Sequence, residues 1–407
     1  MGKNVPGGPI RFDDPVFRAD PYPVYAWLRE NRPVHQIELH RGKVAWLLTR
    51  HADAQAALRD RRLSKNRMLL RQAFVDPLAR SRLGVSMLSV DPPRHTRLRS
   101  LAAAAFTRRS VDELHVRAVR LTDHLLASLP EGVKFDLIER YAFPLPFALI
   151  CEFLGVDIDD RHEFQFHVLH VVSPPLHVSS EELACHVGWL EDFLVQLIER
   201  KRTHPADDFL GRLIRVRGHD DDSLSEDELV STAFLLLTAG YENTVNLIGN
   251  GVYALLCFPS QLELLRCMPS LLSPAIEEIL RYDSPVERTT TLVTTEEVEY
   301  SGSVIPVGAA LVASLASANR DPRRYTDPDV FDIRRTDGGS LSFGHGIHYC
   351  LGAALARLEA RVAIGGLLRR FDHIELAAPP PALRYRSSSL LRGLEELPVV
   401  LQRSRGG

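Results

Sequence analysis

Cysteine is scarce in this 407-residue sequence, and Cys151, Cys185, Cys257, Cys267 and Cys350 are scattered, with no C-x-x-C pair among them. An odd count at irregular spacing argues against a disulfide framework and against a zinc ribbon. Excess charge of either sign is also missing: 49 Lys and Arg stand against 52 Asp and Glu, for a net charge of −3. Nothing overall asks for nucleic acid or an acidic membrane as partner. The opening MGKNVPGGPIRFDDPVFRADPYP has no long apolar run, so neither a signal peptide nor a spanning helix is expected. Pro6 stands where a myristoylation signal needs Ser or Thr, which removes a lipid anchor. A cytoplasmic protein is expected. Internal repeats, low-complexity tracts and Ser/Gly linkers are absent too, so residues 1–407 are expected to form a single domain.

What is present is 45% hydrophobic, enough for a large core, and most of it falls in helical patterns. Two short β-like pieces, HQIELHRGKVAWLLT and VEYSGSVIPVGAALVA, predict a small sheet. The longest helix is predicted from Ser225, where Ser225 and Glu228 form a capping box, to Phe258, before Pro259. Its segment AFLLLTAG is apolar all round, which predicts burial on every side. Glu242, Asn243 and Thr244 follow at once, polar groups where burial without partners is costly. A second helix is predicted with Ser273 as N-cap, Pro274 at the first position and Pro285 beyond its end. On it Glu278 and Arg281 lie three apart, within pairing reach. A third, in DPPRHTRLRSLAAAAF, sets His95 and Arg99 on one side and Leu98, Leu101 and Ala102 on another.

The stretch SFGHGIHYCLG, Ser342 to Gly352, puts one cysteine directly before a run of apolar residues at helical spacing. Backbone N–H groups and the dipole at a helix start stabilise a thiolate. Gly344, Gly346 and Gly352 let the backbone loop tightly and let something flat approach. These features suit a thiolate ligand on a loop under a planar cofactor. Two other readings stand beside it. A free cysteine is most often a small buried hydrophobe, the reading given to the other four. Cys350 could also be a nucleophile with His348 or His345 as base, although no orienting group or oxyanion hole is evident nearby. Elsewhere RHEFQFHVLH places Glu163, His167 and His170 at a spacing that could bind a metal. Spacing alone has a high false-positive rate, and a polar helix stripe is favoured there. The following VSPPLHVSS reads as a flexible loop at a substrate entrance.

Phe343, Gly346, His348, Cys350 and Gly352 reproduce F-x-x-G-x-[HR]-x-C-x-G, the haem-loop signature of the cytochrome P450 haem-thiolate monooxygenases, and the sequence resembles that family. The resemblance continues through HTRLR at 95–99, AGYENT at 239–244, Glu278-x-x-Arg281, and NRDP at 319–322 followed by DPDVFDIRR. Order and spacing are similar to the soluble bacterial branch, above all to actinomycete enzymes that tailor polyketides and other secondary metabolites. The resemblance implies the cytochrome P450 fold, mainly α with a small β portion, as a single large domain holding haem b, iron protoporphyrin IX. It makes Cys350 the proximal iron ligand, which pushes electron density toward the iron. It gives His95, Arg99 and His348 to the haem propionates, sets Phe343 beside the sulfur, and puts Gly344, Gly352, Ala239 and Gly240 against the cofactor. Glu278 and Arg281 become a structural pair behind the loop, completed by Arg335. Met87, Leu88, Leu235, Leu236, Thr290, Thr291 and Leu391 become the substrate pocket.

The implied activity inserts one oxygen atom of O2 into a largely apolar metabolite such as a polyketide or macrolide, by hydroxylation or epoxidation. Electrons would come from a ferredoxin and ferredoxin reductase as separate chains. Arg97, Arg357 and Arg361 would suit an acidic ferredoxin, and equally a solvated helix face. Oxidative coupling or desaturation of a peptide-derived or aromatic metabolite is the chemical alternative, and a non-catalytic haem-fold docking protein the structural one. Two departures stand out. Where related enzymes carry a further propionate-binding arginine, ungapped comparison finds Leu292; Arg288, four residues earlier and on the same face if the strand extends that far, is the candidate substitute. In the long helix, Glu242 matches the usual acid, but Asn243 replaces the usual alcohol, with Thr244 one step on. An amide donates and accepts hydrogen bonds but is a poor proton carrier. The peroxide-driven subclass places an arginine in this segment, and none is present among Tyr241, Glu242 and Asn243.

Overall fold

The computed structural model describes residues 10, 12, 14–39, 43–66, 69, 81–106, 108–172, 178–218, 222–388 and 390–403. Helix accounts for 57% and strand for 12%, which makes the chain mainly α as expected. No described helix is long and apolar enough to cross a membrane. Contacts divide the chain into two units that are interleaved in sequence: one drawn from residues 1–63, 119–145 and 243–407, the other from 64–118 and 146–242.

In the first unit the predicted hairpin forms from Val34–Leu39 and Lys43–Leu48, antiparallel, with Val34 opposite Leu48. Lys43–Leu48 continues parallel onto Ala310–Ala313, and that strand pairs antiparallel with Leu292–Thr294. Leu63–Ser64 closes the edge of this five-stranded sheet. Leu48, Ala54, Leu292, Leu311 and Leu341 share one apolar cluster against it. The second predicted β-piece divides. Val298–Tyr300 and Ser303–Ile305 make their own ladder around Ser301 and Gly302, both at positive φ, while Ala310–Ala313 joins the larger sheet. A three-stranded sheet sets Pro398–Gln402 between Phe135–Asp136 and His373–Leu376.

Two local expectations are corrected here. The strand with Leu292 begins at that residue, and Arg288 lies outside it in an isolated bridge to Ser314. The Thr289 hydroxyl accepts the Ala313 N–H, so strand alternation does not run back to Arg288 and the shared face is not realised. The helix Leu272–Tyr282 starts one residue before Ser273, after a 3-10 turn at Pro269–Leu271, so Leu271 is the cap. Pro274 then falls in the first turn, where an N–H has no helical acceptor and its loss costs little.

The helix Ala353–Arg370 buries Leu358, Ala360, Ala363, Ile364 and Leu367 together with Glu359, which is 2% exposed. Glu359 Oε2 has no hydrogen-bond partner among the described residues. Burial pushes its carboxyl well above the ordinary 4.5. The folded state therefore keeps this proton while the unfolded chain releases it. The stability it lends is fully present below the ordinary value and is lost as pH rises toward the raised one, by ~1.4 kcal/mol per pH unit. Glu359→Gln cannot ionise, so its melting temperature is expected to exceed that of the parent at pH 8 and to match it near pH 4.5. Thermal melts across that range test this, and parallel curves would refute it.

In the second unit the helices Arg161–Val172 and Ser180–Thr203 pack together, the latter started by a capping box of Ser179 and Glu182. The expected entrance loop includes residues 173–177, which lie outside the described residues. The His167 ring stacks on Trp189 at 4.0 Å and the His170 ring on His186 at 4.4 Å, while His170 Nδ1 meets the Phe166 carbonyl at 2.7 Å. No group of three or more His, Cys, Asp or Glu that could hold a metal occurs among the described residues. The histidines belong to an aromatic stack between two helices.

The longest helix is Glu226–Cys257, and its capping box forms: Ser225 N–H donates to Glu228 at 3.1 Å, and Glu228 N–H to Ser225 Oγ at 3.3 Å. The boundary between units falls inside it, between Glu242 and Asn243. In the first-unit half, Asn250 Nδ2 donates to the carbonyls of Asp283 and Arg392.

Candidate active site

The loop before Cys350 is fixed from several directions within the first unit. Arg281 donates to both oxygens of Glu278, at 2.7 and 2.8 Å, and to the carbonyls of Asn319, Pro328 and Val330. Arg335 reaches the same carboxylate at 3.1 Å, completing the expected network, and Asp332 N–H adds a bond at 2.9 Å. The Asn319 side chain then takes the Leu341 N–H at 2.7 Å and donates to Ser342 Oγ at 2.9 Å. Ser342 Oγ donates to the Leu280 carbonyl. A buried charge pair thus grips the residues that open the cysteine loop.

From there the chain folds back on itself. Cys350 N–H donates to the Phe343 carbonyl at 2.9 Å, with Gly344 and Gly346 at φ +72° and +71°. These are left-handed values that glycine adopts without strain. A Cβ on Gly346 would stand 2.5 Å from the Leu58 carbonyl oxygen, so that glycine is required twice over. His348 ends the short 3-10 turn Gly346–His348, and Gly352 caps the helix Ala353–Arg370. Cys350 lies three residues before that helix and is exposed. The buried-hydrophobe reading fails for it, and fails also for Cys185 and Cys267, which are exposed on helix faces. Cys151 is buried, and burial pushes its thiol up to about 12.

The long helix carries the second set of candidates, and the expectation that AFLLLTAG is buried on all sides is corrected. Leu235, Leu236, Gly240 and Asn243 are only partly covered and Ala239 is exposed, whereas Leu237, Tyr241, Glu242 and Thr244 are buried. The open positions recur at three- and four-residue steps, so they form one stripe. Asn243 lies on it; Glu242, at 6% exposure, and Thr244, at 2%, do not.

In the second unit, the helix Arg94–Ala105 buries His95 to 2% exposure and leaves Arg99 partly covered. Burial, then Arg99 and Lys65, hold the His95 imidazole below its ordinary value, against Asp91. Lys65 was not anticipated, because a lone lysine in RRLSKN carries no sequence signal. It is 7% exposed, its backbone N–H donates to Asp91 Oδ1 at 2.9 Å, and burial pushes its ammonium down to about 8. Met87 and Leu88 sit in the 3-10 turn Met87–Ser89 of the same unit.

Thr290, Thr291 and Leu391 belong to the first unit and are partly covered. Thr290 Oγ1 is buried with no partner among the described residues. Arg288 is buried, its guanidinium 3.3 Å from the Phe12 ring centroid and 3.9 Å from Glu287. Leu292 is in the apolar cluster. Of the arginines considered for a redox partner, Arg97 is held by Asp222 at 2.7 Å and Glu228 at 3.0 Å. Arg357 is held by Glu277 at 2.5 Å and lies over the Phe343 ring. Both charges are largely neutralised inside the chain.

Comparison with known proteins gives a consistent answer. The family model described as "Cytochrome P450" matches residues 259–394. "Cytochrome P450 107B1" of Saccharopolyspora erythraea is 46% identical over 400 residues, covering 96% of this chain and 97% of that protein. The "Vitamin D(3) 25-hydroxylase" of Pseudonocardia autotrophica is 46% identical over 390 residues, covering 95% of each. Among solved structures, the Bacillus subtilis bacillaene polyketide synthase cytochrome P450 PksS superposes with a TM-score of 0.90 at 36% identity, over 97% of this chain and 100% of that one.

Proposed function

This chain belongs to the cytochrome P450 family and is a haem-iron monooxygenase, and from that premise we propose that it hydroxylates or epoxidises a largely apolar secondary metabolite of polyketide or macrolide type. The observation that carries the proposal is the Cys350 loop, opened by residues that Asn319 fixes and backed by the buried Glu278, Arg281 and Arg335 network. The donor set fits the family's cofactor, taken as haem b: one soft ligand in Cys350, glycine at Gly344 and Gly352 for close approach, and cationic or neutral donors in His95, Arg99 and His348 for its carboxylates, whereas a Cβ at Gly240 would strike Ile150. Phe343 would shield the sulfur. Arg288, buried over the Phe12 ring and 3.9 Å from Glu287, is the proposed substitute for the arginine absent at Leu292. Bound in this way, haem supplies dioxygen activation, with one atom going to substrate and the other to water.

The protein's part is to orient substrate and to supply protons. Met87, Leu88, Leu235, Leu236, Thr290, Thr291 and Leu391 are the residues proposed to meet substrate, mostly apolar with two hydroxyls for polar handles. One relative carries the name vitamin D(3) 25-hydroxylase and one solved neighbour that of a polyketide synthase cytochrome P450, names in keeping with a largely apolar substrate. Asn243 is the one of the three polar helix residues on the open stripe, so its amide holds a water or a substrate polar group, while buried Glu242 and Thr244 act behind it on proton supply. Electrons come from a ferredoxin and its reductase as separate chains, in a cytoplasmic setting, with residues 1–407 acting as one catalytic domain.

The test is turnover of polyketide and macrolide candidates with a ferredoxin system under 18O2. One labelled oxygen per product is expected, and product with no label would shift the reading to coupling or desaturation. In the same assay Asn243→Ala is expected to keep its substrate-induced spectral change while product per NAD(P)H falls ~3–10-fold, a loss near one hydrogen bond. Unchanged coupling and affinity would remove Asn243 from the mechanism.

A further inference from the structure

The second unit holds a group of charges that the family signature does not include. Ser64 and Lys65 sit against Asp91, four residues before His95: Ser64 Oγ donates to Asp91 Oδ2 and Lys65 N–H to Asp91 Oδ1. His95 N–H in turn donates to the Asp91 carbonyl at 2.9 Å. The loop carrying Lys65 is thereby tied to the start of the helix carrying His95 and Arg99. Lys65 is 7% exposed. No carboxylate among the described residues pairs with its Nζ, and the one opposite charge acting on it is Asp91, whose two oxygens already serve Ser64 and the backbone. Its electrostatic influence reaches His95.

A buried ammonium without an ion-pair partner is expensive, and a fold that keeps one gains if a bound anion completes it. The helix beside it already offers donors of the kind that hold carboxylates. We propose that Lys65 is a further anchor for a carboxylate of the cofactor, sharing it with His95 and Arg99. This rests on the haem reading above. A bound carboxylate would add negative charge beside Lys65 and favour its ammonium form, against the burial that pushes it down to about 8.

The experiment measures the rate at which holoprotein loses haem to excess apomyoglobin, using natural haem and, in parallel, haem dimethyl ester, which lacks the carboxylate charges. Lys65→Met and Lys65→Gln are each expected to lose natural haem about tenfold faster than the parent, the effect of one charge-assisted hydrogen bond. Lys65→Arg is expected to stay within about twofold. With the ester, parent and Lys65→Met are expected to release at the same rate. Equal loss of natural haem from parent and both neutral variants overturns the inference. So does an equal acceleration with haem and with its ester, which would mark a structural lysine. A parent protein that takes up no haem overturns the functional reading and this inference with it, and so is distinguished from failure of the inference alone.

Discussion

Cys350→Ser is expected to give a protein whose reduced carbon monoxide complex lacks the strongly red-shifted Soret band of a thiolate-ligated haem, and whose product formation falls ~100-fold or more, at least ~3 kcal/mol of barrier. A serine hydroxyl is smaller and stays protonated at neutral pH, so it can supply neither the soft ligand nor the negative charge that a thiolate brings to iron. The loop itself should survive. Its shape is set by Gly344, Gly346, the Cys350 N–H bond to Phe343 and the Asn319 contacts, and none of these uses the sulfur. Haem content is therefore expected to drop less than activity. Cys267→Ser, at an exposed helix position, is the matched control and should leave both unchanged. A normal Soret band in Cys350→Ser would place the iron ligand elsewhere and sink the assignment.

Arg281→Ala is expected to cost ~3–5 kcal/mol, a large share of the ~5–15 kcal/mol that stabilises a typical domain. The guanidinium fork makes two bonds to Glu278 and three to backbone carbonyls, at 3% exposure. Its removal leaves the Asn319 and Pro328 carbonyls short of a donor, leaves the Val330 carbonyl to Arg335, and leaves Glu278 to Arg335 and the Asp332 N–H. Because one of those carbonyls belongs to Asn319, whose side chain fixes Leu341 and Ser342, the damage is expected to spread to the Cys350 loop. Melting should fall by ~5–15 °C, with partial loss of haem. Arg281→Lys keeps a charge but not the planar fork, and should fall between the two. Differential scanning calorimetry of all three proteins checks this; an alanine variant melting within 2 °C of the parent would contradict it.

Much of this was legible before any coordinates. The capping box at Ser225 and Glu228, the hairpin across residues 34–48 and the cysteine loop with its glycines are local patterns, and local patterns are what a sequence records directly. What was missed depends on partners distant in the chain. Helical spacing tells which residues share a face but not what covers it, so it does not separate the partly covered positions of AFLLLTAG from the buried ones. Arg97 read as a free surface cation because Asp222, which neutralises it, lies 125 residues away. Ser273 looked like a cap because Ser-Pro is a common helix start; the actual start is set by the preceding turn at Pro269. Lys65 gave no signal, since its setting depends on Asp91 and on a helix 29 residues further along.

The parallel pairing of Lys43–Leu48 with Ala310–Ala313 bears on how the chain is made. On a ribosome adding roughly 5–20 residues per second, the inner edge of the first hairpin waits about a quarter of a minute to a minute for the strand that covers it. Throughout that wait, backbone donors and acceptors along Trp46, Leu47 and Leu48 are open to strand addition from any neighbour. The residues of the second unit are complete by Glu242, well before Ala310 emerges. Nascent chains of this protein should therefore pass through a stage in which one body can have closed while the other is a sheet with a missing member. Lower expression temperature and added chaperone are therefore expected to raise the yield of folded protein by protecting that stage.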